Sequence, residues 1–313
     1  MTEATDEASN SSAVRSALSK VFVVVISLVV LAAAWEGYKL FGEWTGGTWP
    51  GTNRDLPVAT DDLTMPPASD ILGSFFEPVQ RGRDEILAVF LVKSAWFTLK
   101  EAALGFVVGS VVGLLLAVVM LRWKFLDRGL VPWINISQTV PLIALAPIVV
   151  TWGRNSFLSD VQAVSLIAAY LTFFPVAVNG LVGLKSPDPA ALKLMRSYAA
   201  PWRKTLFTLR FPAARPYLFP AFKLAATLSV VGAIVGEISA GVPGGLGRVI
   251  LDFAGKYSTG PERLYAAVLA AGLLGLFVFA VADSAERFVV RGRSRGSVEV
   301  AEPVESVLIG GSA

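Results

Sequence analysis

Between residues 185 and 215 the chain carries seven basic side chains, Lys185, Lys193, Arg196, Arg203, Lys204, Arg210 and Arg215, against one acid, Asp188. In a membrane protein that excess marks a water-facing loop on the cytoplasmic side, a handle that a soluble motor can push, rather than a site for making or breaking bonds. Few other charges stand where chemistry would need them. Glu237 and Lys223 lie within the apolar stretch 216–240, and Lys100 and Glu101 open the stretch 98–121. A charge at the centre of a membrane span costs roughly 2.5–3.5 kcal/mol on insertion scales, so each of these must be paired, interfacial or functional. Lys100, Glu101 and Lys223 read as snorkelling or paired interface charges. Glu237 is followed by the Gly-rich run 241–247 and reads equally as a hydrogen-bond acceptor for that loop or as a gate. The chain has no His and no Cys, which removes imidazole bases, thiolate nucleophiles, disulfides and most zinc sites. No Ser-Lys or paired-carboxylate constellation is expected at membrane depth, and no metal site. No phosphate-cradling Gly-x-x-x-x-Gly-Lys-Ser/Thr loop exists, since Gly255-Lys256 is followed by Tyr257 and lacks the upstream glycine. Neither an enzyme nor a nucleotide-binding subunit is indicated.

The elements that position these charges follow from composition. The 313 residues are 54% hydrophobic and 16% charged, with mean hydropathy +0.62; soluble domains carry roughly 25% charged residues. The net charge of +3 is too small to argue for nucleic acid. Six stretches are long enough to cross a hydrocarbon core of ~30 Å, at about 21–41, 98–121, 130–152, 161–184, 216–240 and 264–287. Basic residues gather at 122–128, in 185–215 and after 287, whereas 42–92 holds eight acids and three bases. The excess of Lys and Arg in short loops places them in the cytoplasm. Both termini are then cytoplasmic, and 42–92 and 241–263 lie outside. Ala32-Ala33-Ala34 admits a signal-peptide reading of the first stretch, but the apolar run continues through Trp35, Tyr38, Leu40 and Phe41 and favours a span. Residues 1–18 and 291–313 read as cytoplasmic tails, rich in small, polar and acidic residues, with too little apolar surface to order themselves.

The basic loop itself reads as folded. Asp188-Pro189 offers an N-cap followed by proline at the first helical position. Leu192, Met195, Tyr198 and Ala199 recur at helical spacing, Pro201 breaks the helix, and Trp202–Leu209 can form a second short one.

Four segments together resemble the inner-membrane permease subunits of bacterial binding-protein-dependent ABC importers, in the nitrate/sulfonate/taurine branch that includes importers of thiamine-pyrimidine precursors and riboflavin-like compounds. They are Met65-Pro66-Pro67-Ala68-Ser69; Gln138 to Pro147 running on to Trp152-Gly153; Phe173-Phe174-Pro175 through Lys185-Ser186-Pro187-Asp188-Pro189; and Phe211-Pro212-Ala213-Ala214 to Glu237 and Gly244-Gly245-Leu246-Gly247. The resemblance implies an all-α membrane protein with the type I importer permease fold: six transmembrane helices, a five-helix core and a cytoplasmic coupling helix at about 188–209. First span, extracytoplasmic segment and core then fall at 19–41, 42–92 and 93–290. It implies as partners a cytoplasmic ABC ATPase dimer that holds ATP and Mg, an extracytoplasmic solute-binding protein, a second permease copy or a paralogue, and membrane lipid. No cofactor is expected on this chain. The family's Glu-Ala-Ala, three residues, Gly signature falls on Lys193, Leu194, Met195 and Ala199, and the chain departs from it at each position. Asp188, Lys193, Met195, Arg196, Ala199, Pro201 and Trp202 are the residues expected to couple to the ATPase.

Two further patterns lie within the spans. Gly105, Gly109 and Gly113, and again Gly232 and Gly236, form small-xxx-small ladders that let helix backbones approach closely, either as packing within one subunit or as a sliding or dimer interface. Pro141, Pro147 and Pro175 interrupt spans and either kink them for packing or, with Phe174, Lys223 and Glu237, border a pathway or gate. The resulting expectation is a permease subunit in a bacterial inner membrane, forming the path for a small organic solute and driven by ATP hydrolysis on another chain. A stand-alone secondary carrier or channel is the alternative.

Overall fold

In a computed structural model of the chain, residues 22, 26–27, 29–51, 54–79, 85–155 and 158–291 are described, and side-chain placements at 154 and 288–291 are excluded. The expected tails, and the start of the first span, lie outside the described residues. Nearly everything described is helical. Helix α1 covers 29–45, α2 Ala68–Ser74, α3 Leu87–Arg122, α4 Lys124–Ser137 and α5 Leu142–Asn155. These are followed by α6 Asp160–Lys185, α7 Pro189–Ser197, α8 Trp202–Thr205, α9 Phe211–Ala240, α10 Leu246–Ala254 and α11 Pro261–Arg291. A single π-helical stretch, Leu206–Arg210, joins α8 to α9.

Among the described residues, four helices are long and apolar enough to cross a membrane, or five if α4 and α5 count as one broken span. Two sequence expectations change. The stretch expected as one span at 130–152 is two helices separated at 138–141, because Pro141 cannot donate an intrahelical hydrogen bond. The second span begins at Leu87 rather than near 98. Apolar residues before Lys93 and after it continue the helix, so Lys100 and Glu101 sit four turns inside it and not at its mouth.

The chain packs as two compact units. One gathers the chain up to Gly105, Val140–Ala169 and Val230–Leu274; the other gathers Phe106–Thr139, Tyr170–Ser229 and the chain from Gly275. In the first unit α6 is held tightly between small residues. A Cβ at Gly105 would lie 2.8 Å from the carbonyl oxygen of Ser165, and one at Gly232 would lie 2.7 Å from Cα of Ala168. A Cβ at Gly236 would meet Val164 at 3.0 Å. Real Cβ atoms do not approach as closely as at Gly105 and Gly232, so only glycine permits those two crossings, while at Gly236 the Val164 side chain would have to give way. The segment after α1 is folded back on it. Trp35 Nε1 donates to the carbonyl of Pro66 (3.0 Å), the Ala68 amide at the start of α2 donates to Glu36 Oε1 (2.5 Å), and the buried Lys39 pairs with Asp62 (2.6 Å).

The second unit is centred on Ala117, Met120, Ile134, Ala177, Leu181, Leu184, Leu206, Ala214 and Leu218, with Phe173 and Phe174 packed against them. A Cβ at Gly113 would lie 2.5 Å from the carbonyl of Phe173. Tyr170 donates its hydroxyl to the carbonyl of Ser137, at the end of α4, and Lys185 pairs with Asp127 of α4 (2.6 Å). Helix α6 therefore grips α4 at two points.

Candidate functional site

Two places gather the polar chemistry. The first is a buried cap at the start of α10. Glu237, near the end of α9, is fully buried. Its Oε1 accepts from Thr98 Oγ1 (2.7 Å) and its Oε2 from the Gly247 amide (2.6 Å), while Thr98 Oγ1 accepts from the Leu246 amide (2.9 Å). The first amides of any helix lack intrahelical partners, and α10 has a glycine, Gly245, at its N-cap with no side chain to supply one. A carboxylate from a different helix takes that role, and its charge suits the positive end of the helix dipole. The Gly244-Gly245-Leu246-Gly247 run follows from this geometry. A Cβ at Gly245 would overlap the Glu237 carboxylate, one at Gly247 would meet the backbone of Ile234 and the Glu237 side chain, and Gly244 has φ +108° against the Phe97 ring.

Glu101 lies one turn beyond Thr98 on the same face of α3. It is fully buried, its side chain lies beside the Glu237 carboxyl group, and its backbone carbonyl accepts from Ser165 Oγ (3.0 Å). This corrects two expectations. Glu101 does not snorkel, because its helix starts earlier than expected. A paired-carboxylate constellation does exist within the spans. Lys100 is exposed and stacks over Trp96 at 5.6 Å.

The second place is the hairpin between α6 and α9. Asp188 caps α7 by accepting from the Ala190 amide (2.9 Å), with Pro189 at the first helical position. No residue of α7 is buried. Lys193, Arg196, Leu194 and Tyr198 face solvent, and Met195 is half-buried. The helix closes with a Schellman motif: the Ala200 amide donates to the Met195 carbonyl (3.0 Å) and the Ala199 amide to that of Arg196 (2.9 Å). That motif puts its C′ residue in the left-handed region, and Ala199 has φ +48°, the one non-glycine residue with positive φ among the described residues. The position is the one where the resemblance puts a glycine, so the backbone demand remains although the side chain has changed. Pro201 then turns the chain into α8, and Trp202 lies 6.0 Å from the Arg122 guanidinium. The second short helix does not end at Leu209 but runs through the π-helical stretch into α9. The base of the hairpin is fixed by Arg210, whose Nη1 donates to the Leu184 carbonyl (2.7 Å).

The remaining candidates are dispersed. Lys223 pairs with Asp283 (2.9 Å) and with Glu286 on α11, and Asp283 also binds Arg287. Lys223 thus ties α9 to α11. Pro141 stands at the break before α5, Pro147 inside α5, and Pro175 inside α6, where its carbonyl accepts from Asn179 Nδ2 (2.8 Å). Pro216 and Pro220, near the start of α9, are further helix prolines. Phe174 packs against the second unit's core. Gly109 is buried in α3. Among the described residues no group of three or more metal-ligating side chains exists.

The profile of the family described as "Binding-protein-dependent transport system inner membrane component" matches residues 109–295. The formylaminopyrimidine transport permease protein ThiX of Halalkalibacterium halodurans is 33% identical over 202 residues, 63% of this chain and 76% of its own. The nitrate import permease protein NrtB of Synechocystis sp. is 25% identical over 260 residues, 83% of this chain and 86% of its own. Among solved structures, a chain of the MetNI methionine ABC transporter superimposes with TM-score 0.57 at 18% identity, covering 64% of this chain and 96% of that one, which establishes a shared fold. The matched family, the helical spans and the fold agree: this chain belongs to the binding-protein-dependent transport system inner membrane components and is a permease subunit of an ABC importer.

Proposed function

We propose that the α7–α8 hairpin is the surface through which a cytoplasmic ABC ATPase dimer drives this permease. The observation that carries the reading is a capped nine-residue helix with no buried residue, hung between two spans. A helix with no fully buried residue has an exposed face to offer a partner; here that face carries Leu194, with Tyr198 at the helix end, among basic residues. ATP and Mg belong to that ATPase, since this chain offers no phosphate loop. In this reading the hairpin and both termini are cytoplasmic, which the excess of Lys and Arg in the short loops supports. Segment 42–92 and α10 then face outward and meet a solute-binding protein. A second copy of the permease, or a paralogue, completes the pathway in the lipid bilayer.

The ATPase cycle must favour one permease state by several kcal/mol to switch populations fully; moving from 1:99 to 99:1 takes about 5.5 kcal/mol. ATP binding on the partner supplies that difference, and the hairpin passes it to α6 through Arg210, which holds the Leu184 carbonyl, and to α9 through the continuous α8–α9 connection. The solute is a small organic molecule. The greater identity to the formylaminopyrimidine permease than to the nitrate permease favours a heteroaromatic vitamin precursor over an oxyanion.

Because the chain has no cysteine, single-cysteine variants need no background removal. Leu194→Cys should cross-link to the ATPase subunit in a nucleotide-dependent manner, and Lys193→Glu with Arg196→Glu should abolish copurification while membrane insertion persists. Unchanged copurification of the double variant would defeat the docking assignment.

A further inference from the structure

Glu101 and Glu237 meet in a site sealed from solvent, and among the described residues no donor reaches either carboxyl oxygen of Glu101. Two carboxylates in contact are acceptors only. A buried charge that is unpaired and without hydrogen bonds is among the costliest arrangements in a protein. The groups around the pair are Thr98 and the Leu246 and Gly247 amides, already committed to the α10 cap, and Asp160 of α6, which adds a further negative charge. None is a cation. The nearby bases are engaged elsewhere: Lys100 lies over Trp96, and Arg248 of α10 pairs with Asp252 (3.0 Å). The close fit of Gly245 and Gly247 around Glu237 leaves no room there for even a methyl group, so a hydrated ion does not fit against that carboxylate.

We propose that Glu101 and Glu237 share one proton, carried on Glu101 and donated to the Glu237 carboxylate, and that this proton locks α10 onto α3 and α9. The balance is simple. Glu101 is a neutral acid and Glu237 a carboxylate, whose lone pairs accept three donors: Glu101 O–H, Thr98 O–H and Gly247 N–H. Two like charges side by side in a buried site do not both ionise, and the titration of one carboxyl group is coupled to that of the other. When the proton leaves, two charges face each other behind the α10 cap and the cap opens. The extracytoplasmic helix of an importer would thereby be under control of proton activity, independently of which solute is carried.

The test uses the full chain in lipid nanodiscs. Infrared spectroscopy at neutral pH should show a protonated-carboxyl stretch that is lost in Glu101→Gln. Hydrogen exchange should show the Gly247 amide protected in the wild type and in Glu101→Gln, whose amide N–H replaces the acid donor, and protection lost in Glu101→Ala. Raising the pH should remove the wild-type band and the protection of Gly247 together, after correction for intrinsic exchange, while protection in Glu101→Gln stays constant. Should a variant fail to fold, the parallel loss in the wild type alone decides. Absence of the band in the wild type, its persistence in Glu101→Gln, or protection that follows sodium concentration instead of pH would overturn the proposal.

Discussion

Gly245→Ala isolates the role of the α10 cap. Gly245 has φ −93° and ψ 169°, a conformation any residue adopts, so the substitution introduces no backbone strain. Its effect is steric: the new Cβ would occupy the space of the Glu237 carboxyl group. The carboxyl must move, and it cannot do so while keeping both Thr98 at 2.7 Å and the Gly247 amide at 2.6 Å. Hydrogen bonds to a charged group contribute about 1.5–3 kcal/mol each, and a buried donor left unpaired forfeits that in full. Losing both costs about 3–6 kcal/mol, against a gain of about 0.4–1 kcal/mol from the lower chain entropy of alanine. The net effect is strong destabilisation. Gly272→Ala in α11 is the matched control, because a Cβ there meets nothing within 4 Å and alanine favours a helix interior by roughly 0.5–1 kcal/mol. Thermal unfolding of the detergent-purified chain should put Gly245→Ala well below the wild type and Gly272→Ala at or above it. Exchange at the Leu246 and Gly247 amides should accelerate only in the first. Equal melting of the two variants with unchanged exchange would refute the cap.

Other perturbations have equally definite outcomes. Ala199→Gly removes a left-handed alanine that costs roughly 1–2 kcal/mol; it should leave the chain as stable or up to ~1 kcal/mol more so, whereas Ala199→Val should disorder the end of α7, both read by hydrogen exchange at residues 195–200. Gly105→Val and Gly232→Val each force α6 away from a neighbour and should reduce the yield of monodisperse protein sharply, while Gly275→Ala, which meets open space, should not. Lys223→Glu should destabilise the chain by placing a third acid beside Asp283 and Glu286, and adding Asp283→Lys should restore part of the loss in a melting assay. A reporter fused at position 55 should read outside the cell and one at position 200 inside; reversal of either would invert the proposed topology.

The positions of the spans were largely readable because 20-residue apolar runs leave little alternative in lipid. The α7 cap was readable too, since Asp188-Pro189 acts locally, through an amide two residues away. What could not be read depended on contacts distant in sequence. Glu237 was recognisable as unusual, and the glycines after it as a loop signal, but its bond to Thr98 spans 139 residues. Glu101 looks interfacial in the sequence because Lys93 and Lys100 interrupt the apolar run and hide a helix that begins at Leu87. The charged residues Arg81, Arg83, Asp84 and Glu85 precede Leu87 in the sequence, so polarity does mark this boundary. Lys223 stands out in the sequence as a charge within a span, but only the packing of α9 on α11 joins it to Asp283 and Glu286 as one cluster. The break at 138–141 was signalled by Pro141, yet a proline alone does not distinguish a kink from a complete interruption.

The central claim is that solute moves only when a separate ATPase acts on the α7–α8 hairpin. The most direct measurement is uptake of radiolabelled solute into proteoliposomes containing the permease, with its solute-binding protein, with and without the ATPase and ATP. The account predicts accumulation against a gradient only with both present, and none when the ATPase is paired with the Lys193→Glu, Arg196→Glu permease. Accumulation by the permease without the ATPase would contradict it.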